Sequence, residues 1–210
     1  VPEPENSPGG IVNAMTVDVE DYFQVSAFEG TVDRSDWEHL PCRVETNTNR
    51  ILDLFAEHDV HATFFMLGWV AERYPALVRR IVESGHELAS HGYSHVRVTS
   101  QQPQDFSDDI TKTKALLEDI AGCEVRGYRA ASYSIVKRTL WAHDLLLEAG
   151  YRYSSSIYPI RHDLYGIPDA PRFAYRHREQ GLLEIPITTV ALFNTNLPCG
   201  GGGYFRLLPY

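Results

Sequence analysis

An α/β fold built on a parallel sheet is predicted by two features of the sequence. Short apolar stretches of strand length alternate with amphipathic stretches of helix length, the pattern of crossover units. Residues with reactive side chains (Asp18, His91 and Arg129) stand at or just past the ends of the apolar stretches. That is where active sites collect in barrels and open parallel sheets. No glycine-rich loop follows the first apolar stretch, so neither a dinucleotide site nor a P-loop is supported. A chain of 210 residues is ample for one core and short for two full domains.

The elements follow in order. Residues 1–10, VPEPENSPGG, read as a flexible tail, and residues 11–210 as one domain. Ile11 to Val19 reads as a buried strand that ends among Asp18, Glu20 and Asp21. Residues 22–44 read as loop. Asn49 to His58 carries Ile51, Leu52, Leu54 and Phe55 at helical spacing. His61 to Leu67 is a buried strand, and Ala71 to Ser84 a helix stopped by Gly85. Glu87 to Ser90 is a short strand running into His91. A helix over Asp105 to Ile120 presents Ile110, Leu116, Leu117 and Ile120. Val125 to Ala131 fits a strand plus loop, and Arg138 to Ala149 a helix closed by Gly150. Tyr151 to Ile157, Leu182 to Ile187 and Gly203 to Leu208 are later strands, with Glu184 an exposed or mouth-facing acid beside Pro186.

Composition excludes several classes. The net charge is -9, and only Lys112, Lys114 and Lys137 are lysines, so no basic footprint for nucleic acid exists. No apolar run reaches the roughly 18 to 20 residues of a membrane-spanning helix. Cys42, Cys123 and Cys199 are far apart and odd in number, which leaves room for one disulfide at most. Compartment is open between cytoplasm and periplasm, and oligomeric state is unassigned.

Three stretches carry chemistry. In Thr16-Val17-Asp18-Val19-Glu20-Asp21, strand alternation puts Asp18 and Glu20 on one face. Carboxylates so close repel unless a cation compensates. One could bind a metal while another accepts a proton from water; the same acids also fit a solvated turn. His91 and His95 are four apart, and on one helical turn they would share a face and reach one metal at about 2.0 to 2.1 Å. Two histidines and a carboxylate leave open positions, which suits catalysis. A surface pair is the plain alternative. In the loop Arg126 to Tyr133, a buried arginine would hold a carboxylate ionised, and the backbone N–H near Tyr133 could face an oxyanion. Tyr22, Tyr128 and Tyr133 could contact a sugar, although tyrosine is also ordinary core material.

The stretches TVDVEDYFQV (16–25), ATFFMLG (62–68), GHELASHGYSH (85–95), GYRAASYSI (127–135), SSIYP (155–159), LEIPIT (183–188) and GGGYFRLLPY (201–210) resemble the polysaccharide deacetylase family. This is also called the NodB-homology or carbohydrate esterase 4 group. The nearest likeness is to the subgroup found with exopolysaccharide and exosortase gene clusters. The resemblance implies a distorted (β/α)7 barrel, incomplete at its C-terminus, with a zinc-type divalent metal at its top. It implies Asp18 as the base, Glu20 or Asp21 as the carboxylate ligand, His91 and His95 as the histidine ligands, and Arg129 as the residue that orients the base. Tyr133 would lend its backbone N–H to the oxyanion. The implied activity is removal of N-acetyl groups from the amino sugars of a polysaccharide or oligosaccharide. Ala131 and Ser154 depart from the family pattern, and its late histidine acid has no match, since His162 and His177 occur too early. A carbohydrate-binding protein with an impaired site, or an amidase acting on a small cyclic or peptide amide, are the rival readings.

Overall fold

The computed structural model describes residues 13–201 and Tyr204. The expected tail 1–10, the start of the first strand and, apart from Tyr204, the strand expected over Gly203 to Leu208 lie outside the described residues. Seven strands form one sheet: β1 (Met15–Val19), β2 (Ala62–Met66), β3 (Glu87–Ser90), β4 (Gly127–Tyr128), β5 (Tyr153–Ser154), β6 (Tyr175–Arg176) and β7 (Leu183–Glu184). Their order is β1-β2-β3-β4-β5-β7-β6, parallel throughout except for the antiparallel edge strand β6. β1 and β6 are the two edges, so the distorted barrel is open between them. A separate hairpin joins β8 (Thr189–Leu192) to β9 (Thr195–Pro198).

Among residues 13–201, five α-helices accompany the sheet: α1 (Val44–Glu57), α2 (Gly68–Arg73), α3 (Pro75–Glu83), α4 (Pro103–Ala121) and α5 (Trp141–Glu148). The helix expected over Ala71 to Ser84 is two helices. Pro75 lacks the N–H that would continue α2, and it starts α3 at a first-turn position. The helix expected from Arg138 opens instead with a 3-10 turn at Lys137–Thr139. Gly85 and Gly150 stop their helices as expected, with φ of 81° and 85°.

The core lies between sheet and helices. Phe64, Met66, Val78, Ile81, Phe106, Ile110, Leu117 and Leu146 are all fully buried. Tyr128 lies among them, edge-on to Phe106 and Tyr151 at 5.7 Å from each ring centre. In-register neighbours in a parallel sheet share a face. Tyr128, Ser154 and Glu184 are in register and face the helix layer. The next residue along β4, Arg129, therefore faces the barrel interior. The three cysteines are unpaired. No helix among the described residues is long and apolar enough to cross a membrane.

Candidate metal centre

Strand ends bring the predicted ligands together. Asp18 and Glu20 leave β1 on its interior face, and both line one cavity with His91, His95, Arg129 and Tyr133. The cavity has a volume of about 1110 Å³. Ligand atoms of Glu20, His91 and His95 all lie within 4.8 Å of one another. Glu20 Oε2 stands 3.0 Å from His95 Nε2 and 4.0 Å from His91 Nε2. Both histidines are buried, and Glu20 Oε2 is a buried oxygen with no hydrogen-bond partner despite that closeness. An unpaired carboxylate oxygen among imidazole nitrogens is costly alone. A shared divalent cation would remove the cost, so these residues fit a metal.

The histidine tautomer agrees. His91 Nδ1 lies 2.8 Å from the Arg129 carbonyl and donates to it, which leaves the Nε2 lone pair free toward Glu20. Burial lowers the pKa of His91, against the opposing pull of Asp18 and Glu20. The ring is thus neutral near pH 7, as ligation requires.

The two histidines do not sit on a helical turn. Residues 91–95 form a loop. Gly92 takes φ 75° and His95 φ 53°, backbone states a right-handed helix excludes. The loop is held from outside. Gly68 and Trp69 N–H groups donate to the Gly92 and Tyr93 carbonyls at 2.9 Å each. Asp109 of α4 accepts the Tyr93 N–H at 3.1 and 3.3 Å. Nothing in the sequence singled out Asp109. A Cβ on Gly92 would meet Asp109 Oδ2 at 2.9 Å, so glycine is needed there for space as well as for φ. The rings still approach, with centres 5.2 Å apart.

Arg129 is 4% exposed and donates four hydrogen bonds. Its Nη1 donates to Asp18 Oδ1 at 2.7 Å and to Thr16 Oγ1 at 3.0 Å. Its Nε and Nη2 donate to the Ser155 carbonyl and hydroxyl at 3.0 and 2.9 Å. The guanidinium also covers the Phe65 ring at 4.0 Å. Burial works to raise the Asp18 pKa, but Arg129, helped by His91, outweighs it and holds the carboxyl below its usual range. Asp18 is therefore ionised at neutral pH.

Five expectations need correction. Asp21 does not join the cluster. Its Oδ1 caps the 3-10 turn at Tyr22 at 2.9 Å and its Oδ2 accepts the Arg43 and Val44 N–H groups at 2.5 and 2.9 Å. Two residues past the strand, the chain has turned and Asp21 faces α1. Tyr128 is buried against the helices and cannot contact a ligand, and Tyr22 packs on Phe23 and Arg43 outside the cavity wall. The Tyr133 N–H donates to the Ala130 carbonyl at 3.0 Å within a 3-10 turn, so it is not aimed at an oxyanion. Glu184 is neither exposed nor at the mouth. It is 0% exposed, accepts the Ser156 and Ile157 N–H groups at 2.8 Å each, and pairs with His143 at 3.1 Å. Ser154 shares that helix-side face, bonded to Ser156 Oγ at 2.8 Å, and lies outside the cavity wall. His162 stacks on Tyr165 at 3.8 Å and, like His177, is absent from the cavity lining.

Strain gathers at this site. Ser132 and Tyr133, both at φ 51°, join His95 in the left-handed region, half of the six such non-glycine residues among those described. Each costs of order 1–3 kcal/mol, and such outliers cluster at functional sites.

A parallel α/β barrel with two imidazoles and a carboxylate converging at its strand ends defines a class: barrel proteins built to hold one metal ion at the mouth. The family model described as polysaccharide deacetylase matches residues 31–154, and the chain belongs to that family. A second model, a domain of unknown function called DUF3473, matches residues 155–210. A peptidoglycan-N-acetylglucosamine deacetylase of Bacillus cereus is 36% identical over 96 residues, 45% of this chain and 35% of its own. A chitooligosaccharide deacetylase of Rhizobium leguminosarum bv. trifolii is 33% identical over 97 residues, 44% of this chain and 45% of its own. A Mycobacterium smegmatis structure assigned to the polysaccharide deacetylases superposes with a TM-score of 0.63 at 25% identity, covering 88% of this chain and 64% of that one. The chain thus spans less than half the length of these two curated relatives.

Proposed function

We propose that this chain is the catalytic part of a metal-dependent deacetylase that removes N-acetyl groups from amino sugars of a polysaccharide. The observation that carries the reading is the meeting of Glu20, His91 and His95 within 4.8 Å, in the cavity that also holds the Asp18–Arg129 pair. The named relatives act on peptidoglycan N-acetylglucosamine and on chitooligosaccharides, which supports that substrate class. The subgroup likeness points to an exopolysaccharide as the polymer.

Glu20, His91 and His95 would hold the ion, with zinc the default for two imidazoles and a carboxylate; cobalt, iron or nickel suit similar ligands. When bound, such an ion polarises an acetyl carbonyl and makes water acidic enough to react near neutral pH. Asp18, kept ionised, would accept the proton from the attacking water. Arg129 fixes the direction of Asp18 through bonds that also tie it to β1 and to Ser155. The leaving amine must gain a proton, and among the described residues no third histidine lines the cavity. That gap favours one rival, glycan binding without turnover.

Acetate release from N-acetylglucosamine oligomers separates the two. The deacetylase reading expects release that chelation abolishes, zinc restores and Asp18→Asn lowers by about 10²-fold or more. Oligomer binding with no acetate released by the zinc-loaded full-length protein would favour the rival.

A further inference from the structure

Part of the cavity wall comes from residues 172–174, 185–189 and 200–201. All of them fall in the segment matched by the domain of unknown function, outside the deacetylase match. Phe173 lines the cavity and is 71% exposed, so a large apolar face is offered to whatever enters. Arg172 lies beside it, its guanidinium carbon 5.6 Å from the Phe173 ring centre. Arg172 is fixed from behind: Nε donates to Thr189 Oγ1 at 3.0 Å and Nη2 to the Thr189 carbonyl at 2.5 Å. Among the described residues, Nη1 has no partner.

We propose that Phe173 and Arg172 form a glycan subsite, in which a second pyranose ring stacks on Phe173 and gives an acceptor oxygen to Arg172 Nη1. A pyranose has one face rich in C–H groups, and an aromatic ring covers it with little loss of rotamer freedom. A guanidinium already held in place loses less freedom on bonding a sugar oxygen. The cavity volume of about 1110 Å³ exceeds the roughly 300–1,000 Å³ of ordinary small-molecule pockets, which leaves room beyond one acetylated sugar. The segment of unknown function thereby acquires a role: it makes the site select chains over single sugars. The inference takes its substrate class from the deacetylase reading and leaves the chemistry of that reading aside.

The test uses full-length, zinc-loaded protein with an N-acetylglucosamine pentamer and the monosaccharide. Phe173→Ala should raise KM for the pentamer about tenfold with kcat within about twofold, and narrow the preference for pentamer over monosaccharide. Phe173→Tyr should restore both, and Arg172→Ala should act in the same direction as Phe173→Ala. Calorimetric titration of the pentamer into an Asp18→Asn protein, with and without Phe173→Ala, reads binding without turnover. If acetate is released and Phe173→Ala leaves KM unchanged, the subsite is overturned while the deacetylase reading stands. If no acetate is released but Phe173→Ala weakens pentamer binding about tenfold, the deacetylase reading falls and the subsite stands. A wild-type protein that binds no pentamer overturns the subsite.

Discussion

Replacing Arg129 by leucine probes the support of the proposed base directly. The substitution removes four donated hydrogen bonds, to Asp18, Thr16 and twice to Ser155. It also leaves the Asp18 carboxylate facing the cavity with no cation. Breaking one side of a buried pair costs roughly 3–5 kcal/mol. The Asp18 side chain is 23% exposed, which puts the expected cost at the lower end, about 3 kcal/mol. Asp18→Asn alone should cost about 1.5–3 kcal/mol, the worth of a hydrogen bond to a charged group. The double variant should cost less than the sum by at least about 1 kcal/mol, because the neutral amide no longer suffers from the missing guanidinium. Urea unfolding at pH 7 with a chelator present measures all four corners without a bound ion. The Asp18 pKa is lowered by folding, so its contribution is present above the ordinary value of 3.8 and lost as pH falls through the depressed one. The coupling should therefore fade in strong acid. Additivity within about 0.5 kcal/mol at pH 7 would refute the view that Arg129 and Asp18 act as one unit.

Other perturbations have equally defined outcomes. Burial raises the Asp109 pKa to about 6, against a usual 3.8. The folded protein holds that proton over a range where the unfolded chain has released it, so stability falls as pH rises from about 4 to 6, by as much as about 3 kcal/mol. Asp109→Asn should flatten this dependence in Tm measured at pH 4.5 and 7.5, and an unchanged slope would count against it. Gly92→Ala places a methyl 2.9 Å from Asp109 at φ 75°; it should cost about 1–3 kcal/mol and weaken metal binding together. Glu184→Ala leaves two backbone N–H groups and His143 without their acceptor. Thermal unfolding should show a loss of about 3 kcal/mol or more, with metal affinity little altered because Glu184 lies on the helix side of the sheet.

Much of this was legible in the sequence, for identifiable reasons. Strand Glu87–Ser90 is legible with its observed ends because Gly85 stops the helix before it and His91 marks the strand end. The face shared by Asp18 and Glu20 follows from the two-residue period of a strand. The failures arise where the backbone leaves a regular period. Asp21 lies beyond the strand, where alternation no longer predicts direction. The histidine loop achieves by left-handed residues what a helical turn was expected to do, and spacing alone cannot distinguish the two. Tyr128 reads as a ligand contact in the sequence because a two-residue strand gives no pattern from which to assign its face. Glu184 reads as an exposed acid until the tertiary fold supplies His143 and two backbone N–H groups. The hairpin of β8 and β9 leaves little trace in the sequence because Val190, Leu192 and Leu197 are exposed apolar residues with no buried alternation to reveal a strand.

Zinc titration of the apo protein by calorimetry confronts the grouping of Glu20, His91 and His95 most directly. One ion should bind per chain, Glu20→Ala and His95→Ala should each weaken it at least about 100-fold, and Asp21→Ala should cost stability but leave stoichiometry and affinity near wild type. Zinc binding that survives loss of Glu20 and disappears with loss of Asp21 would contradict the assigned centre.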